Sequence, residues 1–372
     1  MELRVIGEKG KALARVKIGV RSGWRHEVDG KRGISHFLEH AIFSGNRSYP
    51  LPDTEALKYG VTINGMTNPE LTLFYFISAK EDVDKILSLF LSLIFHPEFN
   101  EHNLQRIRDE EIITAVVQEG DYTPWKLAEE WAGNLVFEWD FRSSLGVEKD
   151  ISKLGKGELT EWHRKYYHAS NSFITVYGDI SEDETEGVIE NAGIPLKGET
   201  PSPFRIKWNT KEISIRKEGT RNVEMVYGFR IAQHNATWEI LRILGNYPLF
   251  KLWDDSLKKF SFTVNSQLKW TTTEGGFFIC FGATSKENAE KIDRNLIPML
   301  GNLELSENDL ELAKKIRTVE ILKRKDEGGL TDRNFQETLD KIKEVNREQI
   351  LSIADRFLNE KNAVRVSVGN VK

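Results

Sequence analysis

The chain has 372 residues, a formal net charge of −5, 39% hydrophobic and 29% charged residues, and one cysteine. That length suits about two domains, and the apolar share is enough to build cores. Interspersed charges offer no basic surface for a nucleic-acid backbone, no stretch reaches about eighteen uncharged apolar residues, and one cysteine excludes a disulfide framework. A cytoplasmic protein with neither a nucleic-acid nor a membrane partner is expected, its chain opening at Met1-Glu2-Leu3-Arg4 without a secretory leader.

In chain order, Ala12 to Val20 alternate apolar and polar residues as a half-buried strand does, and Arg21-Ser22-Gly23 turns the chain. The next stretch, Gly33-Ile34-Ser35-His36-Phe37-Leu38-Glu39-His40, reads as a helix. His36 and His40 are one helical turn apart on one face, with Glu39 on the same side. Two neutral imidazoles so spaced can hold Zn2+, and the carboxylate between them can reach a water on the ion. The order His-x-x-Glu-His is the inverted zinc-peptidase signature. Ile34, Phe37, Leu38, Ile42 and Phe43 supply an apolar backing.

Gly45 and Pro50-Leu51-Pro52 then mark a loop, and Val61–Thr67 with Leu71–Ser78 around Asn68-Pro69 predict a hairpin. A helix is expected from Lys80 to Phe95, stopped by His96-Pro97, and a second from Asn100, its N-cap, to Glu119, where Gly120-Asp121 breaks it. A third runs from Trp125 to Phe137; the half closes with a helix ending near Tyr167 and a strand from Ser172 to Tyr177.

The second half repeats the first. Lys80-Glu81-x-x-Asp84-Lys85-Ile86 recurs as Lys286-Glu287-x-x-Glu290-Lys291-Ile292, and Asn100-Glu101-x-x-Leu104 as Ser306-Glu307-x-x-Leu310, about 206 positions further on. The expectation is an α+β chain of two tandem homologous domains, each an antiparallel-rich sheet packed with helices. Their bounds are 1–194 and 209–372, with a proline-bearing linker at 195–208. In the second copy the helix around Thr237–Leu244 carries Trp238, Glu239 and Arg242 instead of a His pair. Cys280 sits in a strand-like apolar run, Gly276–Phe281, and is expected to be buried.

On the His-Phe-Leu-Glu-His core within Gly33–Gly45, Asn64-Gly65-x-Thr67, His96-Pro97-x-Phe99 and Leu241–Thr284, the chain resembles the pitrilysin/insulysin family of zinc metallopeptidases. That family, M16, includes the mitochondrial processing peptidases. The resemblance implies a half clamshell that pairs with a second one, as a homodimer or with a related chain, around unfolded peptide substrates. It implies His36 and His40 as zinc ligands and Glu39 as general base. The third ligand is implied as a Glu roughly seventy to eighty residues past the second His. An ungapped match falls between Thr114 and Val117, where no carboxylate stands, so Glu119 is favoured and Glu111 is the alternative.

The family also uses an Arg and a Tyr of the second domain to hold the substrate carbonyl. This chain offers Lys258 or Lys259 and, for the Tyr, Phe262. Lysine brings charge without the bidentate fork and phenylalanine brings no donor. A partner chain supplies the missing donors, or turnover is slow. Asn64 and its strand are expected to bind substrate by adding an extended peptide to a sheet edge. The expected function is zinc-dependent hydrolysis of unfolded peptides or oligopeptides in a dimeric chamber. The alternative is a non-catalytic, peptide-binding subunit of a heterodimeric peptidase.

Overall fold

A computed structural model describes residues 1–113, 123–139, 145–202, 205, 207–232, 235–246, 257, 259–270, 274–283, 285–326 and 335–370. Packing divides the chain into two compact units, one of residues 1–121 and 142–205, the other of 122–141 and 206–372.

The first unit is built on a five-stranded sheet in the order β1-β5-β2-β4-β3. Its strands are β1 (Glu2–Gly7), β2 (Leu13–Val20), β3 (Asn64–Thr67), β4 (Thr72–Ala79) and β5 (Ser172–Gly178). The expected strands and hairpin are present. Pairing is antiparallel except that β1 runs parallel to β5, so the sheet is mixed. In β2, Ala14, Val16, Ile18 and Val20 are fully buried while Leu13 and Lys17 are exposed, the period of two that puts alternate side chains on opposite faces.

Helices cover the buried face. The first, α1 (Ile34–Ile42), inserts Ile34, Phe37, Leu38, Ala41 and Ile42 into the core, each large side chain contributing about 1.5–3 kcal/mol. Behind it lie α2 (Val83–Phe95), apolar almost throughout, and α3 (Glu101–Arg106). The Asn100 side chain accepts hydrogen bonds from the backbone of His102 and Asn103, as its N-cap position predicts. After Arg106 the helix widens into a π-helical stretch, Ile107–Ile112, a departure from the uniform α-helix expected there. Such stretches carry one extra residue and recur beside functional sites. Two further helices, α5 (Lys156–Tyr166) and α6 (Glu182–Asn191), and the short helical segments Pro52–Leu57 and Glu148–Ile151 belong to the same unit.

The second unit repeats the topology as β6-β10-β7-β9-β8, again with one parallel pair at an edge. The strands are β6 (Glu212–Arg216), β7 (Val223–Ile231), β8 (Ser261–Trp270), β9 (Gly275–Ala283) and β10 (Ala363–Gly369). Cys280 is buried in β9, as expected. One face packs against α7 (Ala236–Asn246), α8 (Lys286–Gly301), α9 (Glu307–Asp326), α10 (Phe335–Glu344) and α11 (Arg347–Phe357). The other carries α4 (Pro124–Phe137), which precedes the end of the first unit in sequence yet packs in the second. Arg230 donates through Nε to the Val136 carbonyl at 2.7 Å, and Phe137 meets the Phe278 ring at 6.0 Å. Hence β9 is buried on both faces.

Candidate metal centre

Glycine starts the helix that carries the motif. Gly33 is its N-cap with φ +97°, and a Cβ there would lie 2.8 Å from the Gly146 Cα. Glycine has no side chain to cap the helix, and Glu27 supplies the cap from six residues upstream. Its Oε2 accepts the Gly33 N–H at 2.7 Å and its Oε1 the Ser35 N–H at 2.9 Å. Glu27 is buried, and burial pushes its carboxyl up to about 8 against those two bonds. The preceding turn docks on the β3–β4 hairpin: Trp24 and Arg25 donate their backbone N–H to the carbonyls of Asn68 and Pro69, and buried Arg25 pairs with Glu70 at 2.8 Å. The helix and the hairpin strand beside it therefore share one bracket.

From that helix the His36 and His40 rings project together, their centroids 4.8 Å apart and nearly perpendicular. The two Nε2 atoms are 3.2 Å apart. Two nitrogens bound at about 2.0–2.1 Å to one tetrahedral zinc ion stand about 3.3 Å apart, so this pair fits Zn2+. Burial, chiefly, with the neighbouring His40 holds His36 down at about 4, so it is the neutral imidazole a metal requires. Its Nδ1 is buried, with the Leu145 backbone nearby but outside normal hydrogen-bonding geometry.

Glu111, on the π-helical stretch, meets the other nitrogen of His40: Oε2 lies 2.9 Å from Nδ1, and Oε1 accepts from Arg106 at 2.8 Å. A carboxylate there accepts a hydrogen bond from Nδ1–H, which fixes the tautomer whose Nε2 lone pair is free for a metal, the outer support typical of metal-bound histidines. Glu119 lies outside the described residues. Among the described residues, no group of three or more His, Cys, Asp or Glu side chains is placed to hold a metal ion.

Glu39 is 7% exposed, and burial raises its carboxyl above the ordinary range while Thr67 and His40 draw it back. Thr67 of β3 donates its hydroxyl to Oε2 at 2.7 Å. Next to it, a Cβ on Gly65 would lie 2.6 Å from Oε1, so only glycine leaves room at that oxygen. Sequence spacing alone does not mark Thr67 as a site residue; the available signal is its place in Asn64-Gly65-x-Thr67. Because Gly65 and Thr67 face Glu39, Asn64 points to the other face of the sheet, and its amide donates to the Thr62 carbonyl. The strand is nonetheless a sheet edge beside the motif.

The second unit differs at the matching position. Arg242 of α7 pairs with Glu320 of α9 at 2.7 Å, and Arg317 with the same carboxylate at 3.0 Å, where the first unit carries imidazoles. Lys259 belongs to this unit, exposed just before β8; Lys258 lies outside the described residues.

The two tandem units with their five-stranded mixed sheets have the fold of peptidase half-units, and the comparisons give the family. Residues 4–129 match the model "Insulinase (Peptidase family M16)" and residues 153–317 the model "Peptidase M16 inactive domain". The chain belongs to peptidase family M16. It is 23% identical over 98% of its length to "Uncharacterized zinc protease YmxG" of Bacillus subtilis, covering 91% of that protein. With mitochondrial-processing peptidase subunit beta of Bos taurus it shares 24% identity over 58% of its length, and spans 46% of that relative. A protease from Helicobacter pylori has the same fold, with a TM-score of 0.85 at 17% identity and coverage of 98% and 96% of the two chains. The periplasmic protease PqqL of Escherichia coli matches 99% of this chain over 46% of its own, with a TM-score of 0.75 at 14% identity.

Proposed function

We propose that the chain is a zinc-dependent peptidase of the inverted His-x-x-Glu-His type, acting on unfolded peptides or oligopeptides. The observation that carries this reading is the 3.2 Å Nε2 pair of His36 and His40, with the Glu39 carboxylate one turn of helix away. His36 and His40 hold the ion, with Glu119 as third ligand and Glu111 as its alternative. In the geometry at hand Glu111 backs His40 instead. Zinc, when bound, supplies the Lewis acidity that polarises the scissile carbonyl and makes a water nucleophilic near neutral pH.

Glu39 takes the proton of the attacking water on Oε1, because Oε2 is engaged by Thr67, and returns it to the leaving amide nitrogen. Burial raises the proton affinity of Glu39 toward that task. An extended substrate adds to the free edge of β3 through main-chain hydrogen bonds, the Asn64 strand thus serving as platform. Lys258 and Lys259 are proposed to draw the substrate carbonyl, with the remaining donors coming from a partner chain. Pairing with a second half-unit, identical or related, is supported by PqqL, whose first half alone matches 99% of this chain.

The test is hydrolysis of an unstructured peptide by wild type and Glu39→Gln, with zinc content measured on both. A loss of about 10²–10⁴-fold with metal retained is expected. Undiminished hydrolysis by Glu39→Gln refutes the assignment. One observation favours a second reading, a peptide-binding subunit that needs an active relative: the described residues hold two metal-binding imidazoles and no complete ligand set. Wild-type protein that takes up no zinc would put this second reading ahead.

A further inference from the structure

The first sheet has a face that the mechanism leaves unused. Helices cover one side; on the other, Leu13, Arg15 and Lys17 of β2 and every second residue of β4 and β5 are half-exposed or exposed, while Gly19 lies under the Phe173 ring. The strand register aligns these residues in cross-strand rows. Arg4, Thr175, Lys17, Tyr75 and Asn64 form one row across all five strands. Ile6, Tyr177, Arg15 and Ile77 form the row on one side, and Glu2, Phe173, Gly19, Leu73 and Met66 the row on the other. Leu13, Met66 and Ile77, exposed at 55%, 46% and 48%, all lie on this face.

In the second unit the matching face is sealed by α4. Here it carries apolar and aromatic surface together with cations. Arg4, Arg15 and Lys17 pair with no carboxylate among the described residues, whereas Arg21 pairs with Glu2 and lies 5.2 Å over the Phe173 ring. Three positive charges with no carboxylate partner among the described residues thus gather on one face of a chain whose net charge is −5. A positive patch meets a negative partner, and aromatic rings among cations favour aromatic side chains as well. The row ends at Asn64 on β3, whose opposite face holds Glu39 through Thr67. A peptide added to that edge directs alternate side chains to the two faces.

We propose that this open face selects polypeptide substrates rich in acidic and aromatic side chains, drawing them onto β3 through Arg4, Arg15 and Lys17. The substrate sense rests on the peptidase reading; the binding preference is measured without turnover. Full-length Glu39→Gln protein is titrated into a fluorescein-labelled unstructured peptide rich in Glu and Phe, and into its counterpart with Lys in place of each Glu. The Glu peptide is expected to bind at least about tenfold more tightly at low salt, with the preference collapsing near 1 M salt, where charges are screened beyond about 3 Å. Arg15→Glu with Lys17→Glu is expected to reverse the preference without lowering the melting temperature. Should that pair fail to fold, Arg15→Gln with Lys17→Gln is expected to abolish it.

Equal binding of the two peptides, a preference for Lys, no binding of either, or a preference that survives in the variants overturns the proposal. Hydrolysis of a neutral peptide by the wild type is followed separately. Lost charge preference with intact hydrolysis removes this inference alone, and absent hydrolysis with intact preference removes the peptidase reading alone.

Discussion

Replacing Glu27 by Gln sets two opposed forces against each other at the start of the motif helix. Its two oxygens accept backbone N–H groups at 2.7 and 2.9 Å, and a negative charge at a helix N-terminus is favourable by about 0.3–1 kcal/mol, up to about 2 where partly buried. Glutamine accepts through one oxygen only and turns an NH2 toward the other donor, leaving a buried N–H unmet at a cost of about 1–3 kcal/mol. Against this, burial lifts the Glu27 carboxyl from 4.5 to about 8. A carboxyl raised on folding makes the unfolded state the one that loses its proton first, so stability falls as pH rises through that window. The slope is about 1.4 kcal/mol per pH unit, at most about 5 kcal/mol in all. The variant lacks this term. In urea unfolding from pH 5 to 8, Glu27→Gln should therefore show its largest deficit against wild type at pH 5, shrinking steadily toward pH 8, while ionisations common to both proteins cancel. A deficit independent of pH would refute the reasoning, because it would mean that the two N–H donors and the helix terminus outweigh burial and keep the carboxyl near its ordinary range.

Other changes around the motif have separable outcomes. Thr67→Val removes the donor to Glu39 Oε2, worth about 0.5–1.5 kcal/mol net, and should lower kcat about tenfold with zinc content unchanged. Gly65→Ala places a methyl 2.6 Å from Glu39 Oε1 and 2.9 Å from the Phe43 ring, and should lower kcat more than Thr67→Val while the fold, followed by circular dichroism, persists. Glu111→Gln keeps a group beside His40 Nδ1 but loses the charge, and should weaken zinc binding about 10–100-fold in a competitive chelator titration. Loss of zinc binding beyond that range would instead make Glu111 a direct ligand.

The motif helix, its histidine pair and the repeat were legible in the sequence because each rests on local spacing. A period of 3.6 puts His36, Glu39 and His40 on one side whatever surrounds them, and a period of two marks β2 and β4. The same logic gave Asn100 its cap. Only tertiary packing decided the rest. Glu27 reaches Gly33 and Ser35 across a loop, and no local rule pairs a glutamate with a helix six residues later. The π-helical stretch that presents Glu111 to His40 Nδ1 carries no helix-breaking residue that would announce it. Short edge strands β1 and β6 lie parallel to strands of the same sheet that come far later in the chain, pairings that residue pattern alone does not encode. Helix α4 shows the difference most plainly. Its run from Trp125 to Phe137 was readable, but its partner sheet depends on Val136 and Phe137 meeting Gly228 and Phe278, residues about 90–140 positions further along the chain. Spacing along the chain thus determines which side chains share a face, whereas the choice of what that face meets depends on the complementary shape of distant residues, and only the folded chain supplies it.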